Sequence, residues 1–166
     1  MKGSYSLVIK PPEKAEVGAL DVKQFNSNFV VYNGSAFGPG GLKRVFRHFS
    51  EDKKIHWHID YLLDEGSLEM ALIYAGEDFE CKLSSEMDDP VNGFGSSDCG
   101  CNSHLFRYSN LEEIFSNISS TASEMKVMDA NRYNQYKNAE NDESKEDVLR
   151  GLPDSKAYQE GRKFRQ

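Results

Sequence analysis

The sequence predicts an α+β fold, a small and mainly antiparallel three-stranded sheet flanked by helices, with a helical or disordered C-terminal tail. Three observations lead there. Period-two apolar runs recur at the start, near residue 30 and near residue 70. Between and after them apolar residues fall at helical spacing. Beyond Asp129 the composition turns strongly polar.

Residues 3–10 (GSYSLVIK) put Tyr5, Leu7 and Ile9 on one face, and Pro11-Pro12 stops the ladder. After a polar stretch with a short strand at 15–20, the run Phe29-Val30-Val31-Tyr32 reads as a second strand ended by Asn33-Gly34 and pairing with the first. By alternation the Asn33 side chain points away from that of Tyr32. A glycine-rich turn, 35–41, leads into a helix on which Leu42, Val45, Phe46 and Phe49 alternate with Lys43, Arg44, Arg47 and His48. A second helix is expected at 57–65, a third strand at 67–74, and a third helix at 78–88 with acids in its first turn and Pro90 beyond. A Gly/Ser/Asp loop, 91–103, precedes the apolar pair Leu105-Phe106. Ser109-x-x-Glu112 is a capping-box signature for a helix near 110–121.

The chain divides into a domain at 1–109 and a C-terminal helical or flexible tail at 110–166. Only ten of the 38 residues 129–166 are hydrophobic, too few for a core of their own, so residues 125–166 are expected to be dispensable for folding. Arg162, Lys163 and Arg165 give the end of the tail a cationic character suited to a phosphate backbone.

The 166 residues carry 20 basic and 27 acidic side chains, a formal charge of −7, which argues against a nonspecific DNA-coating protein. Residues 43–54 nevertheless count +3. No apolar run reaches the ~20 residues of a membrane helix, and the N-terminus lacks the apolar stretch of a signal peptide, so a cytoplasmic protein without membrane contact is expected. Three cysteines, Cys81, Cys99 and Cys101, are too few and too odd for a disulfide scaffold, which leaves reduced thiols or metal ligands.

Four separated elements carry a resemblance: Gly3-Ser4-Tyr5 opening the first strand, Tyr32-Asn33-Gly34 closing the second, Lys43-Arg44-x-x-Arg47-His48-Phe49 on the first helix, and Glu80 ten residues before Pro90 with Asn92 following. Together they resemble the GIY-YIG nuclease domain over residues 3 to about 108. They look closest to a largely archaeal branch of short members with a His56-Trp57-His58-Ile59-Asp60 segment and a Cys99-x-Cys101-x-x-His104-Leu105-Phe106 ending. The 27-position separation of Tyr5 and Tyr32 implies an insertion at about 11–27.

That resemblance implies a single-metal endonuclease acting on DNA phosphodiester bonds, in repair or processing. Tyr5, Tyr32, Arg44, His48 and His58 would be catalytic. Glu80 would hold magnesium or manganese, and Arg47, Lys53, Lys54 and Asn92 would bind substrate. Residue chemistry agrees. Hydrolysis needs a proton acceptor, which Tyr5 or Tyr32 can be if nearby cations lower its pKa. It also needs a cation on the phosphorane, for which the Arg44 fork is suited, and a hard-metal ligand. His48, at i+4 from Arg44, could relay a proton. His56, His58 and Asp60 could reach a metal or phosphate if extended, with His58 the favoured cleft residue.

Cys99, Cys101 and His104 could hold structural zinc, with Cys81 or His56 as fourth ligand. Alternatively, Ser96, Ser97, Asp98 and His104 line the cleft of Glu80. Two rival readings are a nucleic-acid-binding module without turnover and a zinc-stabilised interaction domain with an unknown protein partner.

Overall fold

A computed structural model describes residues 1–163, so Arg165, part of the expected tail cluster, lies outside the described residues. The α+β class holds, and the main sheet has five strands rather than three, all antiparallel, in the order β6-β4-β1-β5-β7. At its centre β1 (Gly3–Lys10) pairs with β4 (Phe29–Ser35) on one side and β5 (Ser67–Ala75) on the other. The two additional strands are short edges, β6 (Leu105–Tyr108) and β7 (Lys126–Asp129). The insertion expected at about 11–27 folds as a hairpin of β2 (Lys14–Glu16) and β3 (Val22–Gln24), joined through a 3-10 turn.

Both sheet faces are covered, which is why β1 is buried over seven of its eight residues. Tyr5, Leu7 and Ile9 face one core, with Val45 of α1 (Lys43–Phe49), Ile59 and Leu62 of α2 (His58–Glu65), Phe25 and Phe94. Val8, Val31, Leu72 and Tyr74 face the other, with Leu83 of α3 (Glu80–Glu86) and Ile114, Phe115 and Ile118 of α4 (Leu111–Ser119). On this second face Asn33 is fully buried and satisfied: its Oδ1 accepts from Ser6 at 2.7 Å, and its Nδ2 donates to Ser84 at 3.1 Å. The α4 cap is Asn110, whose side chain accepts from Glu113 N–H, and not Ser109.

Residues 125–163 join the core. Val127 and Met128 of β7 are fully buried against β5. Leu149 of α6 (Asp142–Arg150) and Tyr133 of α5 (Ala130–Lys137) pack onto the first core with Leu152. Tyr158 of α7 (Ser155–Lys163) packs onto the second. Tyr133, Leu149, Leu152 and Tyr158 need no core of their own because they dock on an existing one, so the expectation that 125–166 is dispensable for folding gives way. Among the described residues no helix is long and apolar enough to cross a membrane.

Candidate functional site

A cleft of about 510 Å³ opens where β1, β4 and the starts of α2 and α3 meet, and Tyr5, Tyr32, Arg44, His58 and Glu80 all line it. Strand alternation aims Tyr5 toward the first core, where it is almost wholly buried and its hydroxyl reaches His48 Nε2 at 2.8 Å. His48 sits on the buried side of α1, one turn after Arg44, and reaches the cleft only through Tyr5. A larger depression of about 680 Å³, between α1, α2 and α5, takes His48 as lining instead, and none of the other expected catalytic residues lines it.

Two glycines shape this wall. Gly34 lies opposite Tyr5 in the ladder, and a Cβ there would fall 2.6 Å from the Tyr5 hydroxyl oxygen and 2.7 Å from Cε2. Any larger residue would push the phenol off His48. A Cβ on Gly38 would lie 2.5 Å from an Arg44 Nη, so the bare backbone there makes room for the guanidinium, whose Nε donates to Pro39 O at 3.1 Å.

The electrostatics follow from burial. Desolvation, with Tyr32 and Glu80 adding to it and Arg44 and Arg47 opposing, holds the Tyr5 phenol well above its usual pKa. Tyr32 is raised for the same first reason, then by Glu80 and Asp60. Burial pushes His48 down to about 4, so its imidazole is neutral at neutral pH. His58 is lowered by burial too, and its Nδ1 accepts from Gly95 N–H at 2.9 Å. The neutral ring therefore carries its proton on Nε2. Burial, Asp78 and Asp98 raise the Glu80 carboxyl, against the Ser35 amide.

The four residues expected to bind substrate lie elsewhere. Arg47 does not line the cleft. Its guanidinium makes a two-pronged pair with Asp60 at 2.8 and 3.0 Å and donates to Lys54 O at 2.8 Å, because Asp60 is fully buried and needs a cation. Asp60 is thereby removed from any ligand role as well. Burial would raise its pKa, but Arg47 and the N–H groups of Trp57 and His56 outweigh this and lower it. Lys53 Nζ is turned to the Ser50 and His48 carbonyls, and Lys54 and Asn92 are exposed outside the cleft.

Ligating atoms of Cys81, Cys99, Cys101 and His104 all lie within 4.8 Å of one another, so this cluster could hold a metal ion. Cys99 Sγ is 3.3 Å and Cys81 Sγ 3.9 Å from His104 Nε2. Cys81, not His56, completes the set, because α3 carries it to the 96–104 loop. The alternative reading of that loop holds for Ser97, Asp98 and His104, which line the cleft of Glu80 together with Cys99, whereas Ser96 is buried and does not line it. Burial lowers His104, the Gly95 backbone opposing, and leaves a neutral imidazole suited to ligation. Burial and the adjacent thiols Cys101 and Cys99 raise the Cys81 thiol.

Trp57 was not singled out by sequence reasoning and lines the cleft, 43% exposed. Its signal was being the only tryptophan, inside a polar segment.

A family described as "Domain of unknown function DUF123" matches residues 4–127, and no GIY-YIG family matches. No curated protein and no solved structure matches the chain. Membership of the GIY-YIG family, read from short motifs, is thus corrected; Gly34 is explained locally by the space Tyr5 needs. The chain belongs to the DUF123 family.

Proposed function

We propose that this DUF123 family member is a metal-dependent endonuclease hydrolysing DNA phosphodiester bonds, an activity suited to DNA repair or processing. The observation that carries the reading is convergence. One cleft holds a guanidinium, Arg44, a desolvated carboxyl, Glu80, and a phenol already hydrogen-bonded to a neutral imidazole, the Tyr5–His48 pair. These are the groups a phosphodiester hydrolase needs: a cation for the phosphorane, a metal ligand, and a path for the proton of water.

Arg44 clamps the non-bridging oxygens of the scissile phosphate through its planar fork. Tyr32 and the Nε2–H of His58 donate to the same phosphate. As water attacks phosphorus, the Tyr5 oxygen takes its proton and passes the hydroxyl proton to His48 Nε2, in the tautomer protonated on Nδ1. No free phenolate forms, which suits a phenol whose ionisation burial disfavours. The P–O bond to the leaving oxygen breaks as the O–P bond from water forms.

Glu80 and Asp98 are hard oxygen donors, and the acids and burial that raise the Glu80 pKa are the setting in which a cation is favoured. Bound magnesium or manganese would stabilise charge on the leaving oxygen.

The Cys81, Cys99, Cys101 and His104 set supports zinc as a second, structural metal, since three thiols and an imidazole are the donors of closed tetrahedral sites. Cys81 adjoins Glu80, so a metal there would tie the start of α3 to the loop forming the other side of the cleft. Metal analysis of protein purified without added zinc checks this, with one equivalent expected and none after Cys81→Ser with Cys99→Ser.

The nuclease reading is tested by incubating the full chain, with and without magnesium, with nicked, branched and mismatched duplexes. Strand scission only with the metal is expected. Binding without scission in any metal would leave a nucleic-acid-binding module.

A further inference from the structure

We propose that Trp57 is a stacking platform for an unpaired nucleobase, so that the substrate of the cleft is DNA in which a base next to the scissile phosphate is out of the helix. This rests on the nuclease reading and specifies its substrate.

An indole left 43% exposed at a cleft wall forfeits much of the stabilisation that burying it would bring. His56 and His58, on either side of it, line the same cleft, and the His56 ring lies 5.4 Å from the indole. This wall of the cleft is open and aromatic.

It is also held in place from behind. The Arg47 guanidinium sits 4.6 Å from the indole centroid, covering that side of the ring. Arg47 cannot drift, because Asp60 grips it with two bonds and Lys54 O with a third. The second Asp60 oxygen also accepts the N–H groups of His56 and Trp57, both at 2.9 Å. One fully buried carboxylate thus fixes the backbone of the aromatic residue and the cation beneath it.

Burying a carboxylate is costly, and here two of its four hydrogen bonds fix the exposed segment and two fix the arginine behind the indole. Such an investment makes sense if the indole must be preorganised for a flat partner arriving from solvent. The cleft specifies that partner. Arg44 and His58, lining the same cleft, suit a phosphate, and the flat group one nucleotide removed from a phosphate is a base. A base in an intact duplex offers no free face. Stacking therefore selects an unpaired one.

Because Trp57 is the chain's only tryptophan, its emission reports on this surface alone. The experiment titrates the full chain, without magnesium so that DNA stays intact, with a duplex carrying one unpaired thymidine and with the fully paired duplex. Labelled-DNA anisotropy follows Trp57→Ala and Trp57→Phe, and cleavage with magnesium is measured in parallel.

Strong quenching by the unpaired-base duplex and weak quenching by the paired one are expected. Trp57→Ala should lose about tenfold or more of its affinity for the unpaired-base duplex alone, and Trp57→Phe should recover most of it. Unchanged preference in Trp57→Ala, or unmoved emission on binding, with cleavage intact, would overturn the stacking proposal and leave the nuclease reading standing. Absence of both binding and cleavage would overturn both.

Discussion

The Tyr5 ring packs on Gly34, its cross-strand partner, closely enough that a single added methyl at Gly34 would fall 2.6 Å from the Tyr5 hydroxyl oxygen. The pair is a packing device with a chemical result, because the phenol that fills this space is the one bonded to His48. Gly34→Ala is expected to cost roughly 1–3 kcal/mol by overpacking and to lower the cleavage rate by displacing Tyr5. Thermal melts and rates on one nicked duplex check both parts; a variant as active as wild type would remove Tyr5 from the proton path.

His48 makes stability depend on pH. Its folded pKa, about 4, lies below the ordinary 6.5, so between these values the unfolded chain binds more protons and stability is lost as pH falls from 6.5 toward 4. The loss is roughly 3 kcal/mol when complete. Denaturant melts at intervals across this window should show the slope in wild type and a flatter one in His48→Gln. An equal slope would place the titrating group elsewhere.

The two arginines of α1 should separate cleanly. Arg44→Ala is expected to retain the melting temperature while losing on the order of 10²-fold in rate, because the residue faces the cleft and holds only the Pro39 carbonyl. Arg47→Ala leaves buried Asp60 unpaired and should cost about 3–5 kcal/mol. Melts and rates on both variants decide it. Reversal of the two phenotypes would mean that Arg47, not Arg44, meets the phosphate.

Part of the cleft lining was legible in the sequence because it sits on regular elements: alternation places Tyr5, and i+4 spacing relates Arg44 to His48. Arg47 was misassigned because its partner, Asp60, lies on another helix, and no local pattern announces a buried carboxylate in need of a cation. Strands β6 and β7 were missed because each is a four-residue edge, too short for period-two alternation to stand out. The family was misread because Tyr-x-Gly is short and here has a local steric cause. Trp57 stood inside the quoted His56–Asp60 segment, but nothing local beyond its rarity marked its side chain as part of the cleft.

Truncation after Met125 removes β7, whose Val127 and Met128 are fully buried, and with it Leu152. Each such side chain contributes about 1.5–3 kcal/mol, so the melting temperature should fall by roughly 10 °C or more. A calorimetric scan of the truncated chain checks this. A drop of only a few degrees would mean that the sheet is stable without β7.

The most direct test of the nuclease account is Glu80→Gln, assayed for magnesium-dependent scission and, separately, for DNA binding without magnesium. Glu80 is expected to hold the metal rather than the phosphate, so cleavage should be lost while affinity stays within about twofold. Because the folded pKa of Glu80 is raised, its charged form opposes folding above that pKa, and the neutral amide should also raise the melting temperature at neutral pH. Wild-type scission with magnesium, none in Glu80→Gln and equal binding by both would establish the account. Undiminished scission in Glu80→Gln, or none by wild type with any divalent metal, would contradict it.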